Sequence, residues 1–210
     1  MKYLIVSGGE VKEGFLTWIV KNGGFDVILA ADAGMEALYR DHILPDIIVG
    51  DFDSVNPDTL EYFHDKEQIE VCMLNPEKDD TDTEYAIREA IRRGAMEIVV
   101  IGATGTRIDH VLGNISLLME YQQMGLEVVM LTDYGFFTPA ADTQTFAGFP
   151  HQQVSVFNFD AVQLRSEGLK YPIYDFRYWW QGTLNEVEGD SFRIMAKGHY
   201  LVYRTYEAKG

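Results

Sequence analysis

The chain has 210 residues, 47% of them hydrophobic, and a formal net charge of −16. That length suits one large domain or two small ones, and the apolar content excludes a disordered chain. The charge repels polyphosphate backbones and anionic surfaces, which argues against nucleic acid or an acidic membrane as partner and leaves small phosphorylated substrates open. The single cysteine, Cys72, sits in the apolar stretch Ile69–Leu74 and reads as a buried structural thiol. The N-terminal apolar run is too short for a signal peptide. No run nears the ~18 apolar residues of a membrane span, so a cytoplasmic protein is expected.

Along the first part of the chain, strand-like and helix-like segments alternate. Tyr3–Val6 is a short apolar strand ending in Ser7-Gly8-Gly9, followed by a helix through Phe15, Leu16, Ile19 and Val20 that closes at Gly23-Gly24. Val27–Ala30 is a second strand, then comes a helix through Met35, Leu38 and Tyr39, and Ile47–Val49 is a third strand. Asn56-Pro57 opens the next helix, with Asn as cap and Pro at the first helical position. Ile69–Leu74 is a fourth strand. Thr81 and Glu84 then fit a capping box, opening a helix through Ala86, Ile87, Ala90 and Ile91. Ile98–Ile101 is a bluntly apolar fifth strand, as expected for burial on both faces. A helix carrying Val111, Leu112, Ile115, Leu118 and Met119 and a sixth strand, Val128–Leu131, complete the series. Alternation of this kind implies a mostly parallel sheet covered by helices.

The pattern changes near Thr132–Gly135. From there the chain alternates with period two at Gln153–Phe157, Phe192–Ala196 and Tyr200–Tyr203, with turn signals at Pro139, Gly148-Phe149-Pro150, Gly168, Gly182, Gly189-Asp190 and Gly198. The reading is an α/β domain over 1–133 and a smaller antiparallel β-sandwich over 134–210. The second is marginal in size by itself.

In an open parallel sheet, ligands bind beyond the carboxyl ends of the strands, and most polar motifs of this chain fall there. Gly8 and Gly9 follow the first strand, Asp32 the second, and Asp51 and Asp53 the third; Asp79 and Asp82 follow the fourth, and Gly102 to Asp109 the fifth. The run into Asp51-Phe52-Asp53-Ser54 reads as extended, which delivers both acids to one side of the backbone, a common way to hold Mg²⁺ against phosphate. Each motif has a plainer reading. Asp51 and Asp53 suit a turn, and Asp79, Asp80 and Asp82 complement a helix N-terminus. Arg107 and Lys78 either clamp phosphate or balance nearby acids, and His110 is either a general acid–base group or structural. Gly102–Arg107 matches neither a Walker A loop nor a dinucleotide fingerprint. Convergence on one sheet edge is what favours the functional reading. Tyr178-Trp179-Trp180 forms core, an interface, or a stacking surface for a flat cationic ring.

Taken together the segments resemble the thiamine pyrophosphokinase family. The resemblance rests on Ala31-Asp32-Ala33-Gly34, Pro45-Asp46 leading to Gly50-Asp51-Phe52-Asp53-Ser54, Lys78-Asp79-Asp80-Thr81-Asp82, and Gly102-Ala103-Thr104-Gly105 with Arg107-Ile108-Asp109-His110. It implies diphosphate transfer from ATP to thiamine by a Mg²⁺-dependent homodimer. Asp51, Asp53, Asp79, Asp82 and Asp109 would then supply the metal shell. Gly8, Gly9, Asp32, Lys78, Thr81, Gly102, Thr104, Gly105 and Arg107 would hold ATP. A carboxylate such as Asp82 or Asp53, or else His110, would take the hydroxyl proton. Trp179, Trp180, Thr183 and Asn185 would face thiamine, with Leu184 departing from the hydroxyl residue common in the family. Two rivals are weighed. A haloacid-dehalogenase-type phosphohydrolase would use Asp51 as nucleophile but leaves Gly102 to His110 without a role. A non-catalytic thiamine or nucleotide binder sits poorly with a full set of acids.

Overall fold

The computed structural model describes residues 1–74, 81–105 and 107–208. They form two compact units, Met1–Leu117 with Gly125–Asp133, and Leu118–Met124 with Tyr134–Gly210.

The first unit contains a six-stranded parallel sheet. Its strands are β1 (Lys2–Val6), β2 (Val27–Ala31), β3 (Ile47–Gly50), β4 (Glu70–Met73), β5 (Glu97–Ile101) and β6 (Glu127–Leu131). They lie in the order β6-β5-β1-β2-β3-β4. The strand order reverses at the β1–β5 pair, the kind of switch point beside which an open parallel sheet binds its ligands. The helices of this unit are α1 (Phe15–Gly23), α2 (Gly34–Arg40), α3 (Pro57–His64) and α4 (Asp82–Arg92), together with the first part of α5 (Ile108–Gln123), whose residues from Leu118 onward belong to the second unit. The core buries Leu4, Val6, Leu16, Ile19, Ala30, Met35, Leu38, Ile48 and Phe63.

Local sequence sets the helix ends as expected. Asn56 accepts a hydrogen bond from the Asp58 N–H at 2.9 Å and Pro57 fills the first turn of α3. α1 closes on Gly24 in the left-handed region, φ 61°, where glycine carries no side-chain penalty. Only half of the expected capping box forms at α4. Thr81 accepts from the Glu84 N–H at 3.2 Å, while the Glu84 carboxylate pairs with Arg88 four residues on.

The expectation of a buried Cys72 needs correction. Cys72 is half-buried, because among the described residues β4 pairs with β3 alone, and its neighbours Val71 and Met73 are exposed. The apolar stripe on α5 is only partly covered: Leu118 and Met119 are buried, but Leu112 is 51% exposed.

The second unit is a sandwich. One sheet pairs β11 (Asn185–Glu186), β9 (Gln152–Asn158), β13 (His199–Ala208) and β7 (Gly135–Ala141) in that order; the other pairs β10 (Val162–Glu167), β12 (Ser191–Lys197) and β8 (Gln144–Ala147). Pairing is antiparallel throughout. Val154, Val156, Tyr200 and Val202 of the first sheet share one core with Phe146, Leu164, Phe192 and Ile194 of the second. Strict alternation puts these side chains on the inner faces. Pro139, read as a turn signal, instead lies inside β7 opposite Leu201.

Candidate active site

A cavity of about 440 Å³ opens at the carboxyl ends of the strands in the first unit. Among its lining residues are Gly8, Gly9, Asp32, Thr81, Asp82, Gly102, Gly105, Arg107 and His110, all singled out from sequence. Its walls are two glycine turns packed backbone on backbone. The Gly9 N–H donates to the Gly102 carbonyl at 2.7 Å, and a Cβ on Gly9 would stand 2.4 Å from the Thr104 carbonyl oxygen. Only glycine permits that approach. Thr83 Oγ1 donates to Ser7 Oγ at 2.9 Å, tying the first turn to the start of α4. Asp82 and Thr83 open that helix and line the cavity, so the partial positive charge of a helix N-terminus faces it, a setting that favours anions. Thr104 itself contributes its backbone to the Gly9 contact. Ser7 and Ala33, which belong to motifs noted in the sequence without a role of their own, also line the cavity, as does Asn114, which was not foreseen. Asn114 is buried on α5 and donates its side-chain amide to the Ala103 carbonyl at 2.9 Å, holding the second glycine turn.

Beside the cavity, Asp32, Asp51 and Asp53 each offer a carboxylate oxygen within 4.8 Å of the others. Asp51 and Asp53 were expected to meet through an extended backbone. They meet instead because β3 stops at Gly50 and Phe52 adopts φ 62°, a left-handed conformation that is unusual for a bulky residue. Asp32 belongs to the same trio, although its sequence context suggested only a nucleotide contact. The usable signal was its position directly after β2, the strand paired with β3. The crowding is electrostatic. Asp51 foremost, then desolvation and the charge of Asp32, hold the Asp53 carboxyl above its ordinary pKa, and Asp82 adds to the effect. Like charges at short range disfavour the ionised form.

The remaining candidates are distributed differently. Arg107 makes a bidentate pair with Asp109, Nε to Oδ1 at 3.0 Å and Nη2 to Oδ2 at 2.7 Å. The guanidinium holds the Asp109 carboxyl well below the carboxylate range. Asp109 is therefore engaged with Arg107 and stands outside the trio. Asp82 lines the cavity and is felt by Asp53, but is not one of the three. His110 is exposed at the rim. Lys78 and Asp79 lie outside the described residues.

In the second unit, Trp179 and Trp180 open a short 3₁₀ turn, Trp179–Gly182. The Trp179 indole N–H donates to the Asn158 carbonyl at 2.9 Å and the ring packs edge-on against Phe157. Trp180 is 73% exposed. The Thr183 hydroxyl donates to the Trp180 carbonyl at 2.8 Å. Asn185 is buried and its amide is spent on the backbone of Tyr171, accepting from its N–H at 3.1 Å and donating to its carbonyl at 2.6 Å. Leu184 is exposed at φ 68°. Of these residues, Trp180 presents the open aromatic face.

Comparison with known proteins agrees with the architecture. The family model described as Thiamin pyrophosphokinase, catalytic domain, matches residues 23–130, and that described as Thiamin pyrophosphokinase, substrate-binding domain, matches residues 135–203. A thiamine pyrophosphokinase of Bacillus subtilis is 28% identical over 84% of this chain and 86% of its own. Thiamine pyrophosphokinase 1 of rice, Oryza sativa, is 35% identical, but the match covers 42% of this chain and 35% of the rice protein. A crystal structure of thiamin pyrophosphokinase from Geobacillus thermodenitrificans superposes with a TM-score of 0.80 at 25% identity, over 99% of this chain and 98% of that one.

Proposed function

The chain belongs to the thiamine pyrophosphokinase family, and on that premise we propose that it transfers the diphosphate group of ATP to the hydroxyethyl arm of thiamine, giving thiamine diphosphate and AMP. The observation that carries this reading is the carboxylate trio of Asp32, Asp51 and Asp53 standing beside a cavity walled by two glycine turns. Metal and phosphate sites are adjacent at one sheet edge, as diphosphate transfer requires.

The residues fit Mg²⁺. Three carboxylates with oxygens this close form a hard-oxygen donor set, and Mg²⁺ takes one or two carboxylates while keeping several waters. Asp32, Asp51 and Asp53 would hold it, with Asp79 and Asp82 completing the shell directly or through water. When bound, the ion neutralises charge on the phosphate oxygens.

The chain's own groups do the positioning. The Gly8 backbone N–H and those of the Gly102–Gly105 turn, with the start of α4, cradle the phosphates. Arg107 brings a planar cation suited to bidentate phosphate contact, and Asp109 orients it. The thiamine hydroxyl attacks the β-phosphorus in line, AMP leaves, and the hydroxyl proton passes to Asp53, Asp82 or His110. Catalysis of this kind is mostly orientation and charge neutralisation. Trp180 offers its face to the thiamine ring, and the enzyme works as a homodimer.

The test is direct. Purified protein with Mg·ATP and thiamine should yield thiamine diphosphate and AMP in equal amounts, followed by chromatography or phosphorus NMR. Release of ADP, or of inorganic phosphate from ATP, sinks the proposal. Sedimentation at micromolar protein should give the mass of a dimer.

A further inference from the structure

Asp32 is 8% exposed, and both its carboxylate oxygens are engaged by one turn. Oδ1 accepts from the Phe52 N–H at 3.1 Å, and Oδ2 accepts from the Ser54 hydroxyl at 2.5 Å. Its own backbone N–H donates to the Val49 carbonyl at 2.7 Å, locking the ends of β2 and β3 together. The turn so gripped is strained at Phe52, φ 62°, and Asp32 itself stands at φ 43°. Gly50 makes room for the grip, since a Cβ there would lie 3.0 Å from Asp32 Oδ1. The Phe52 ring is seated against the core of the first unit. Left alone, three crowded carboxylates would spread apart and the strained turn would relax.

We infer that Ser54 is a positioning residue for the divalent cation: by donating to Asp32 it holds the Asp51–Asp53 turn in the shape that presents its carboxylates to the ion. The inference rests on the reading of the trio as the Mg²⁺ site. Ser54 acts through Asp32. A charge-assisted hydrogen bond is roughly twice as strong as a neutral one, and its loss here is expected to fall on metal affinity. Ser54 is exposed, so Ser54→Ala leaves no core cavity and Ser54→Thr has room for its methyl group.

The experiment titrates Mn²⁺ into the wild-type chain, Ser54→Ala and Ser54→Thr without substrates, by calorimetry or electron spin resonance. Melting temperatures are recorded with and without the metal. Ser54→Ala should weaken Mn²⁺ binding by about tenfold and shrink the rise in melting temperature that Mn²⁺ produces; Ser54→Thr should restore both. A merely structural role would lower the melting temperature equally with and without Mn²⁺ and leave affinity unchanged, and that result overturns the inference. It also falls if the wild-type chain takes up no Mn²⁺, or if Thr fails to rescue. Failure to form thiamine diphosphate with intact Mn²⁺ binding would sink the proposed reaction and leave the role of Ser54 standing.

Discussion

The first unit carries two acidic clusters that have opposite fates. On α4 and β4, Glu89 is gripped by Arg92 and Arg93, and Arg93 reaches on to Glu70 at the sheet edge. At the strand ends, Asp32, Asp51 and Asp53 crowd together with hydrogen-bond donors and, among the described residues, no cation partner. The pKa directions diverge accordingly. The arginines pull Glu89 down to about 2, whereas Asp51 pushes Asp53 up. One cluster neutralises itself and belongs to the scaffold. The other gathers negative charge that a divalent cation would satisfy, and on the proposed function it belongs to the chemistry.

The largest expected effect breaks the second cluster. Asp51→Asn should lower turnover by about 10³-fold, comparable with loss of one preorganised electrostatic partner. It should not lower the melting temperature at pH 7, because it removes the leading repulsion on Asp53. The sign follows from linkage: an acid whose folded pKa is raised destabilises the fold once ionised, so any stability gain appears above the carboxylate range and vanishes in acid. A variant that keeps full turnover, or that unfolds, would collapse the contrast between the two clusters. Next in size, Gly9→Ala drives a Cβ into the Thr104 and Gly102 carbonyls, 2.4 and 2.5 Å away. Parting the two glycine turns should cost about 1–3 kcal/mol of stability and raise the KM for ATP; calorimetric melting and initial rates check both.

How much of this was legible in the sequence depends on what set each feature. Strand and helix order followed from apolar periodicity, and the helix starts at Asn56-Pro57 and Thr81 from capping chemistry. The site's location followed because a parallel sheet puts every strand end on one edge. The mechanism that joins Asp51 to Asp53 was not legible. Nothing in the residue type announces that Phe52 will sit at φ 62°, since tertiary hydrogen bonds to Asp32 impose it. The partner of Asp109 was not legible, because the strand ends carry many acids with which Arg107 could pair, and only the folded structure joins it to Asp109. The local role of Asn185 in Thr183-Leu184-Asn185 was hidden for a related reason. An exposed polar segment and a buried amide lock read alike, and Asn185 proved to hold Tyr171. Strands β7, β8 and β10 escaped because their alternation is short or interrupted.

A smaller effect tests the scaffold cluster. Glu89→Gln should lower stability at pH 7 by about 2 kcal/mol, less than the full cost of orphaning a buried ion pair, because Arg92 keeps 69% of its side chain in water. Turnover per folded molecule should be unchanged. Glu89 has a depressed folded pKa, so its contribution is complete above the unfolded value, ordinarily 4.5, and is lost as pH falls to about 2. The gap between wild type and variant, measured by urea unfolding at several pH values, should hold steady from pH 7 to near 5 and close below it. A gap that stays constant into strong acid would mean that packing, rather than charge, carries the effect.

The smallest effect extends the same separation to the second unit. Trp179 and Trp180 are adjacent, yet of the two side chains it is that of Trp179 that is tied, among the described residues, to Asn158 and Phe157. Trp179→Ala should therefore lower the melting temperature. Trp180→Ala should leave it in place and raise the KM for thiamine by about tenfold, as expected for loss of a cation–π contact worth roughly 1–2 kcal/mol. The KM for ATP should not move. If Trp180→Ala changes the dimer mass and leaves thiamine KM alone, the exposed indole is an intersubunit contact. The chain would then divide the labour differently, with the whole of catalytic recognition in the first unit and assembly in the second.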